Sequence, residues 1–214
     1  MNRRDELESN LSAVLSRITS PSVTLIVVTK TYPVSDVKIL RELGVTNFGE
    51  NRNEEGVDKS AQVEATWHYQ GEIQSRKLRE IAQWADVIHS LDTHKHILKL
   101  DSVTEKSLDV FIQLSLDGDP SRGGVVESEL PALADAVLAS KNLYLKGLMC
   151  VPPVQSDPQE AFSALSSIHQ KFITFYPSAT SLSAGMSGDF EIAIAHGATH
   201  IRVGSSILGS RSTR

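Results

Sequence analysis

Apolar positions along the chain alternate between two rhythms. The stretch 22–36, SVTLIVVTKTYPVSD, holds a β-branched run, Val23 and Leu25 to Val28, that reads as a strand buried on both faces. With its flanks it predicts a first strand over 23–29, and seven further short runs predict strands at 46–49, 66–70, 86–90, 108–115, 143–148, 179–183 and 199–203. Between them the apolar spacing changes to a helical period, near 34–43, 51–64, 74–84, 93–105, 125–140, 158–174 and 188–196. Ahead of the first strand, Leu7, Leu11, Val14, Leu15 and Ile18 mark an amphipathic opening helix. Two helix starts are signalled chemically: Ser35 and Asp36 precede one apolar period, and Asp157 stands ahead of Pro158 at the first helical position of another.

Strands separated by helices form right-handed βαβ units and a parallel sheet. About eight repeats predict an α/β fold of one domain over 1–214: a closed (β/α)8 TIM barrel with an extra N-terminal helix. The alternative is an open doubly wound sheet, for which the GxGxxG fingerprint is missing. No linker, low-complexity stretch or charge block divides the chain.

Composition narrows the partners. With 214 residues, 40% hydrophobic and 22% charged, the chain is ordinary for a globular protein, and its net charge of -5 provides no basic field for nucleic acid or an anionic membrane. No apolar run approaches the roughly 20 residues a membrane-spanning helix needs. The opening 18 residues lack the apolar core of a signal peptide. Cys150 is the only cysteine, so an intramolecular disulfide is impossible and a reducing cytoplasm is the expected location.

The chemistry-bearing residues gather after the predicted strands, where barrels of this kind hold their sites. Strand 1 ends on Lys30, and strand 2 is followed by Glu50 and Asn51. Strand 3 runs into His68, Gly71, Gln74 and Lys77. After strand 7 come Gly185, Met186, Ser187 and Gly188, and after strand 8 come Gly204, Ser205 and Ser206. Glycine for close approach, hydroxyls and N–H groups at a helix start are the parts of an anion site. Taken singly, either stretch reads more readily as a plain Gly/Ser helix cap, since such caps are common. Their joint position after strands 7 and 8, where barrels often hold phosphate, favours the anion reading. Closure makes strand 1 the neighbour of strand 8, which brings Lys30 to those loops. An amine beside a phosphate cradle suits a phosphorylated carbonyl compound held as a Schiff base; the plainer alternative is a solvated or ion-paired lysine.

VVTKTYP, NFGENR, WHYQGEIQSRK, GLMCVPP, LSAGMSGD and HIRVGSSILGSR stand in that order along the chain. This set resembles the pyridoxal phosphate homeostasis protein family, also called YggS/PROSC-like PLP-binding proteins. The resemblance implies a barrel similar to the N-terminal domain of alanine racemase, with pyridoxal 5'-phosphate (PLP) as cofactor and a role in keeping and delivering PLP. On the matching positions it implies that Lys30 is the Schiff-base lysine, that Ser187 with the Met186 backbone, Gly204 and Ser205 hold the phosphate, that Arg202 faces the pyridine nitrogen, and that Asn51 lies near the cofactor. A guanidinium is always protonated and can only donate, so Arg202 would leave that nitrogen unprotonated and the ring a weak electron sink. The family pattern has a histidine near Glu72, an asparagine near Arg76, a methionine near Ala184 and an asparagine near Ser115; this sequence departs at all four.

Three functions fit a lysine with a phosphate cradle. The first is a carrier that holds PLP and passes it to PLP-dependent apoenzymes, expected to act as a monomer without strong turnover. The second is a PLP-dependent amino-acid racemase of the same barrel type. Racemisation needs two acid–base groups on opposite faces of the α-carbon. The resemblance implies that racemases take the second, a tyrosine, from an extra β domain and a partner chain, for which 214 residues leave no room. None of Tyr32, Tyr69, Tyr144 and Tyr176 follows a motif that would supply it. The third is a Schiff-base aldolase acting on a sugar phosphate; resemblance to such enzymes implies a lysine on a later strand, which makes strand 1 an unusual place for it. No metal pair is expected, since His94 and His96 lie two apart on different sides of a helix. His68 is read either as lining the site or as packing.

Overall fold

In a computed structural model describing residues 2–119 and 121–209, eight parallel strands close into a barrel in chain order, β1 to β8. Pro120, within the turn-rich loop 117–124, and Ser210 and Arg211 of the last motif lie outside the described residues. The strands are β1 (Thr24–Val28), β2 (Asn47–Glu50), β3 (Thr66–Tyr69), β4 (Val87–Leu91), β5 (Leu108–Leu114), β6 (Leu143–Cys150), β7 (Ser181–Ser183) and β8 (His200–Val203). Every predicted strand is present, shifted by a residue or two at its ends.

Helix α1 (Arg3–Leu15) precedes the barrel, capped by Asn2 and Asp5 in a reciprocal box and burying Leu7, Leu11 and Val14. Each later crossover carries a helix: α2 (Val34–Glu42), α3 (Asn53–Ser60), α4 (Leu78–Trp84), α5 (His94–Val103), α6 (Leu130–Leu138), α7 (Pro158–Phe175) and α8 (Phe190–Ala195). A four-residue helix, α9 (Ser205–Leu208), follows β8. Asp157 caps α7 by accepting from the Glu160 N–H at 3.1 Å, as its place before Pro158 predicts. Asp36 does not cap α2. Pro33 holds the N-cap position of that helix, and the Asp36 carboxylate turns to Arg3, whose Nη2 lies 2.6 Å from Oδ2. The same Nη2 donates to the Leu208 carbonyl, so the pair fastens α1 to both ends of the barrel sequence. Four helices, α3, α4, α6 and α8, begin two to five residues later than their periodicity suggests. Residues 51–52 and 74–77 are turns, the second closed by the Lys77 N–H on the Gln74 carbonyl.

Strand β1 pairs β8 with Ile26 opposite Arg202 and Val27 opposite Val203. In-register residues of parallel neighbours share a face, so Ile26 and Arg202 point into the barrel while Val27, Ile201 and Val203 join the outer core beneath the helices. Both Ile26 and Val27 are fully buried, as expected of a strand covered on both faces. Barrel interiors are mostly filled by branched aliphatics. Here the interior mixes Val87, Phe111 and Met149 with His68, His89, Ser183, His200 and Arg202. Among the described residues no helix is long and apolar enough to cross a membrane.

Candidate functional site

The alternation that turns Ile26 inward continues along the chain to Val28 and Lys30, which explains why an amine leaves the strand end toward the barrel mouth. A cavity of about 450 Å³ opens there, and Val28, Lys30 and Arg202 line it. Asn51, Met186, Ser187, Gly204 and Ser205 line the same cavity, so the seven residues that the family resemblance assigns to the cofactor meet in one place. They arrive from the carboxyl ends of β1, β2, β7 and β8. The volume lies within the range of small-molecule sites, roughly 300–1,000 Å³.

The two Gly/Ser stretches are physically joined. Ser187 Oγ accepts from the Gly204 and Ser206 N–H groups, each at 3.3 Å, and the Ser206 hydroxyl donates back to the Ser187 carbonyl. Gly185, at φ +91°, permits the sharp turn; a Cβ there would stand 2.7 Å from the Ala193 side chain. Gly188 borders the cavity and has open space where a Cβ would be. The Met186 N–H is engaged by Asp189 Oδ1 at 2.6 Å, so Met186 borders the cavity while its amide serves the loop.

Arg202 is 5% exposed and keeps a guanidinium pressed into the barrel, its pKa pushed down to about 10 by burial and still far above neutrality. Nη2 donates to the Cys150 carbonyl at 2.8 Å and Nη1 reaches Ser183 Oγ at 3.5 Å. Beyond Ser183 a chain of ring contacts crosses the barrel: Ser183 Oγ to His89 Nδ1, His89 Nε2 to His68 Nδ1, and His68 Nε2 to Asn47 Oδ1, each 2.9 Å. The donors follow from the ends. An amide oxygen only accepts, so His68 Nε2 carries hydrogen; His89 Nε2 then donates to His68 Nδ1, and Ser183 donates to His89 Nδ1. Both rings are neutral, since burial lowers the His68 pKa to about 3 and that of His89 well below its ordinary value. His68 is thus a packing residue of the interior and does not line the cavity.

Sequence reading missed Gln70, Tyr32, Met149 and Val151, which also form the wall. Gln70 had a signal, standing at the strand end just before Gly71. Glycine at 49 and 71 makes room here. A Cβ at Gly49 would meet Gln70 Nε2 at 2.9 Å, and one at Gly71 would meet the Asn51 carbonyl at 2.1 Å. Gln74 and Lys77 stay outside, bound to Arg76 and Glu54 respectively. Tyr32 enters the lining against expectation, but its hydroxyl donates to the Gly209 carbonyl at 2.6 Å. The four departures from the family pattern, Glu72, Arg76, Ser115 and Ala184, lie outside this lining.

Two polar atoms on the wall have no protein partner: Asn51 Oδ1 and Gln70 Nε2, both buried. A buried orphan costs roughly 1–3 kcal/mol, which a ligand bearing a donor and an acceptor offsets. An amine, linked hydroxyl and amide loops, a donor-only guanidinium and two orphaned amide atoms fit an aromatic aldehyde that carries phosphate and hydroxyl groups. PLP has these groups.

Comparison with known proteins agrees. Residues 3–212 match the alanine racemase N-terminal domain family. The pyridoxal phosphate homeostasis protein of Corynebacterium glutamicum is 43% identical over 218 residues, covering 96% of this chain and 99% of that protein. The structure of PipY from Synechococcus elongatus, with PLP bound, superposes with a TM-score of 0.86 at 30% identity, over 95% of this chain and 100% of that one. Alanine racemase from Corynebacterium glutamicum shares the fold, with a TM-score of 0.77 at 13% identity over 97% of this chain and 62% of that one.

Proposed function

The chain belongs to the pyridoxal phosphate homeostasis protein family, and from that premise we propose that it holds PLP as a Schiff base on Lys30 and serves intracellular PLP homeostasis and delivery. The observation that carries this reading is the meeting of Lys30, Arg202 and the linked 186–188 and 204–206 loops around one cavity.

Bound PLP supplies an aldehyde carbon and an electron-withdrawing ring. Lys30 provides the amine. The loops holding Ser187, Gly188 and Ser205 would offer hydroxyl and backbone donors to the phosphate; α9 has only four residues, so local N–H groups rather than a helix dipole would do this work. Arg202, a donor without acceptor capacity, would face the ring nitrogen and leave it unprotonated, which would weaken the electron sink and suit holding over turnover. Asn51 and Gln70 complete the polar wall. The reading includes a monomer located in the cytoplasm, with PLP-dependent apoenzymes as recipients.

Absorbance tests it. Wild-type protein mixed with PLP gains the band of a lysine Schiff base, and borohydride fixes the ligand on Lys30; Lys30→Ala gives neither. A colourless wild type, or a band that survives Lys30→Ala, overturns the assignment. For the racemase alternative, Tyr32 is the one tyrosine on the wall, and its hydroxyl is committed to Gly209. Rapid deuterium exchange at the α-carbon of an amino acid would replace carrier by enzyme.

A further inference from the structure

Lys30 is flanked by two residues with unusual anchoring. Thr31 has φ +71°, the left-handed region, and is the only non-glycine there among the described residues. A β-branched residue resists that conformation, so its neighbours must impose it. Its N–H donates to Glu55 Oε2 at 2.6 Å. On the other side, the Thr29 carbonyl accepts from Lys59 Nζ at 2.8 Å and its hydroxyl donates to Glu50 Oε1 at 2.6 Å. Lys59 Nζ joins the two sides, reaching Glu50 Oε1 at 2.6 Å and Glu55 Oε2 at 2.9 Å. Its three hydrogens thus meet three acceptors.

This cluster is buried at a cost. The Lys59 and Glu50 side chains are 4% and 0% exposed, and Glu50 Oε2 has no partner. A buried ion pair gives little net stability over apolar packing. Neither Glu50, Glu55 nor Lys59 lines the cavity. What the cluster does hold, at both ends, is the backbone around the cavity's amine.

We propose that Glu55 and Lys59 are positioning residues that lock the Thr29–Lys30–Thr31 corner, fixing where the Lys30 amine meets an aldehyde. The proposal rests on the PLP reading above and deepens it. Schiff-base formation joins Lys30 Nζ to the aldehyde carbon; the carbonyl oxygen departs as water with the two amine hydrogens, so bond-making depends on the approach of Nζ. Phosphate and ring binding depend on other loops. The two steps are therefore separable by mutation.

The test uses the full chain, PLP, and pyridoxine 5'-phosphate, which has an alcohol in place of the aldehyde. Glu55→Met keeps the stem's packing and removes both oxygens; Glu55→Gln keeps an oxygen able to accept from Thr31. With Glu55→Met the rate of borohydride-trappable adduct formation falls roughly tenfold or more, while affinity for pyridoxine 5'-phosphate stays within about twofold. Glu55→Gln recovers most of the lost rate. Should Glu55→Met lose the fold by circular dichroism, Glu55→Ala takes its place. Trapping at the wild-type rate in the Met or Ala variant overturns the proposal. So does equal slowing in Met and Gln, or slowing matched by the loss of pyridoxine 5'-phosphate. A wild type that takes up neither compound refutes the PLP reading itself.

Discussion

Ser187 illustrates how much one small side chain can organise. Its hydroxyl oxygen draws in two N–H groups from a turn seventeen and nineteen residues away, and so ties the loop after β7 to the loop after β8. Ser187→Ala removes that acceptor and a donor facing the cavity. Hydrogen bonds to charged groups are worth about 1.5–3 kcal/mol, so the variant is expected to bind PLP at least roughly tenfold more weakly. Pyridoxal, lacking the phosphate, should lose much less. Fluorescence titration with both compounds measures the difference, and an equal loss for the two would remove Ser187 from the phosphate cradle. At this scale the sequence was informative. Lys30, Ser187 and Gly204 could be chosen because each is an odd residue for its place: a charge ending an apolar strand, or glycine and serine after strands that barrels use for phosphate. Gln70 was harder to see because an amide at a strand end is ordinary, and only the orphaned Nε2 shows its direction.

Among the elements, the strands were legible and the polar network inside them was not. The alternation of β-branched residues announces β1 and β8, but nothing within His68, His89, Ser183 and Asn47 says that they touch. Their contacts span 21 and 94 residues and follow from strand register. The same holds for the Glu50–Lys59 pair, whose nine-residue spacing is uninformative until α3 folds back on β2. The histidines have a measurable consequence. Burial lowers His68 to about 3 and His200 to about 4, against 6.5 in the unfolded chain. Above pH 6.5 each ring is neutral in both states and contributes nothing to a pH slope. Below it the unfolded chain binds protons that the folded chain refuses, so stability declines as pH falls from 6.5 toward 4. Urea unfolding at a series of pH values should show this decline, and His200→Asn should flatten it. A profile whose slope is the same in wild type and His200→Asn would contradict a buried neutral His200 ring. Glu50, whose carboxyl burial pushes upward, titrates in the opposite sense, which is why the variant comparison is needed.

At the scale of the molecule, the exposed large apolar side chains among the described residues are spread over many elements and loops, Leu15, Leu98, Leu138, Val154 and Phe175 among them. Scattered apolar residues need no partner surface. Light scattering on a sizing column is accordingly expected to return the 23.4 kDa of one chain, and twice that mass would disprove the monomer. Barrel closure itself was predicted from eight repeats and the absence of a dinucleotide fingerprint, since a repeated strand–helix alternation limits the topologies available. The depth and wall of the cavity were not predictable that way, because they depend on the pairing of Ile26 with Arg202.

The seam between β1 and β8 sets an order of events during synthesis. Lys30 leaves the ribosome early, yet Arg202 and the 204–206 turn come from the last strand of the barrel and the residues just after it. On the proposed reading, a nascent chain therefore exposes the Lys30 amine well before it owns the residues that would steer an aldehyde there. Capture of the ligand becomes a sign that translation has passed the final strand.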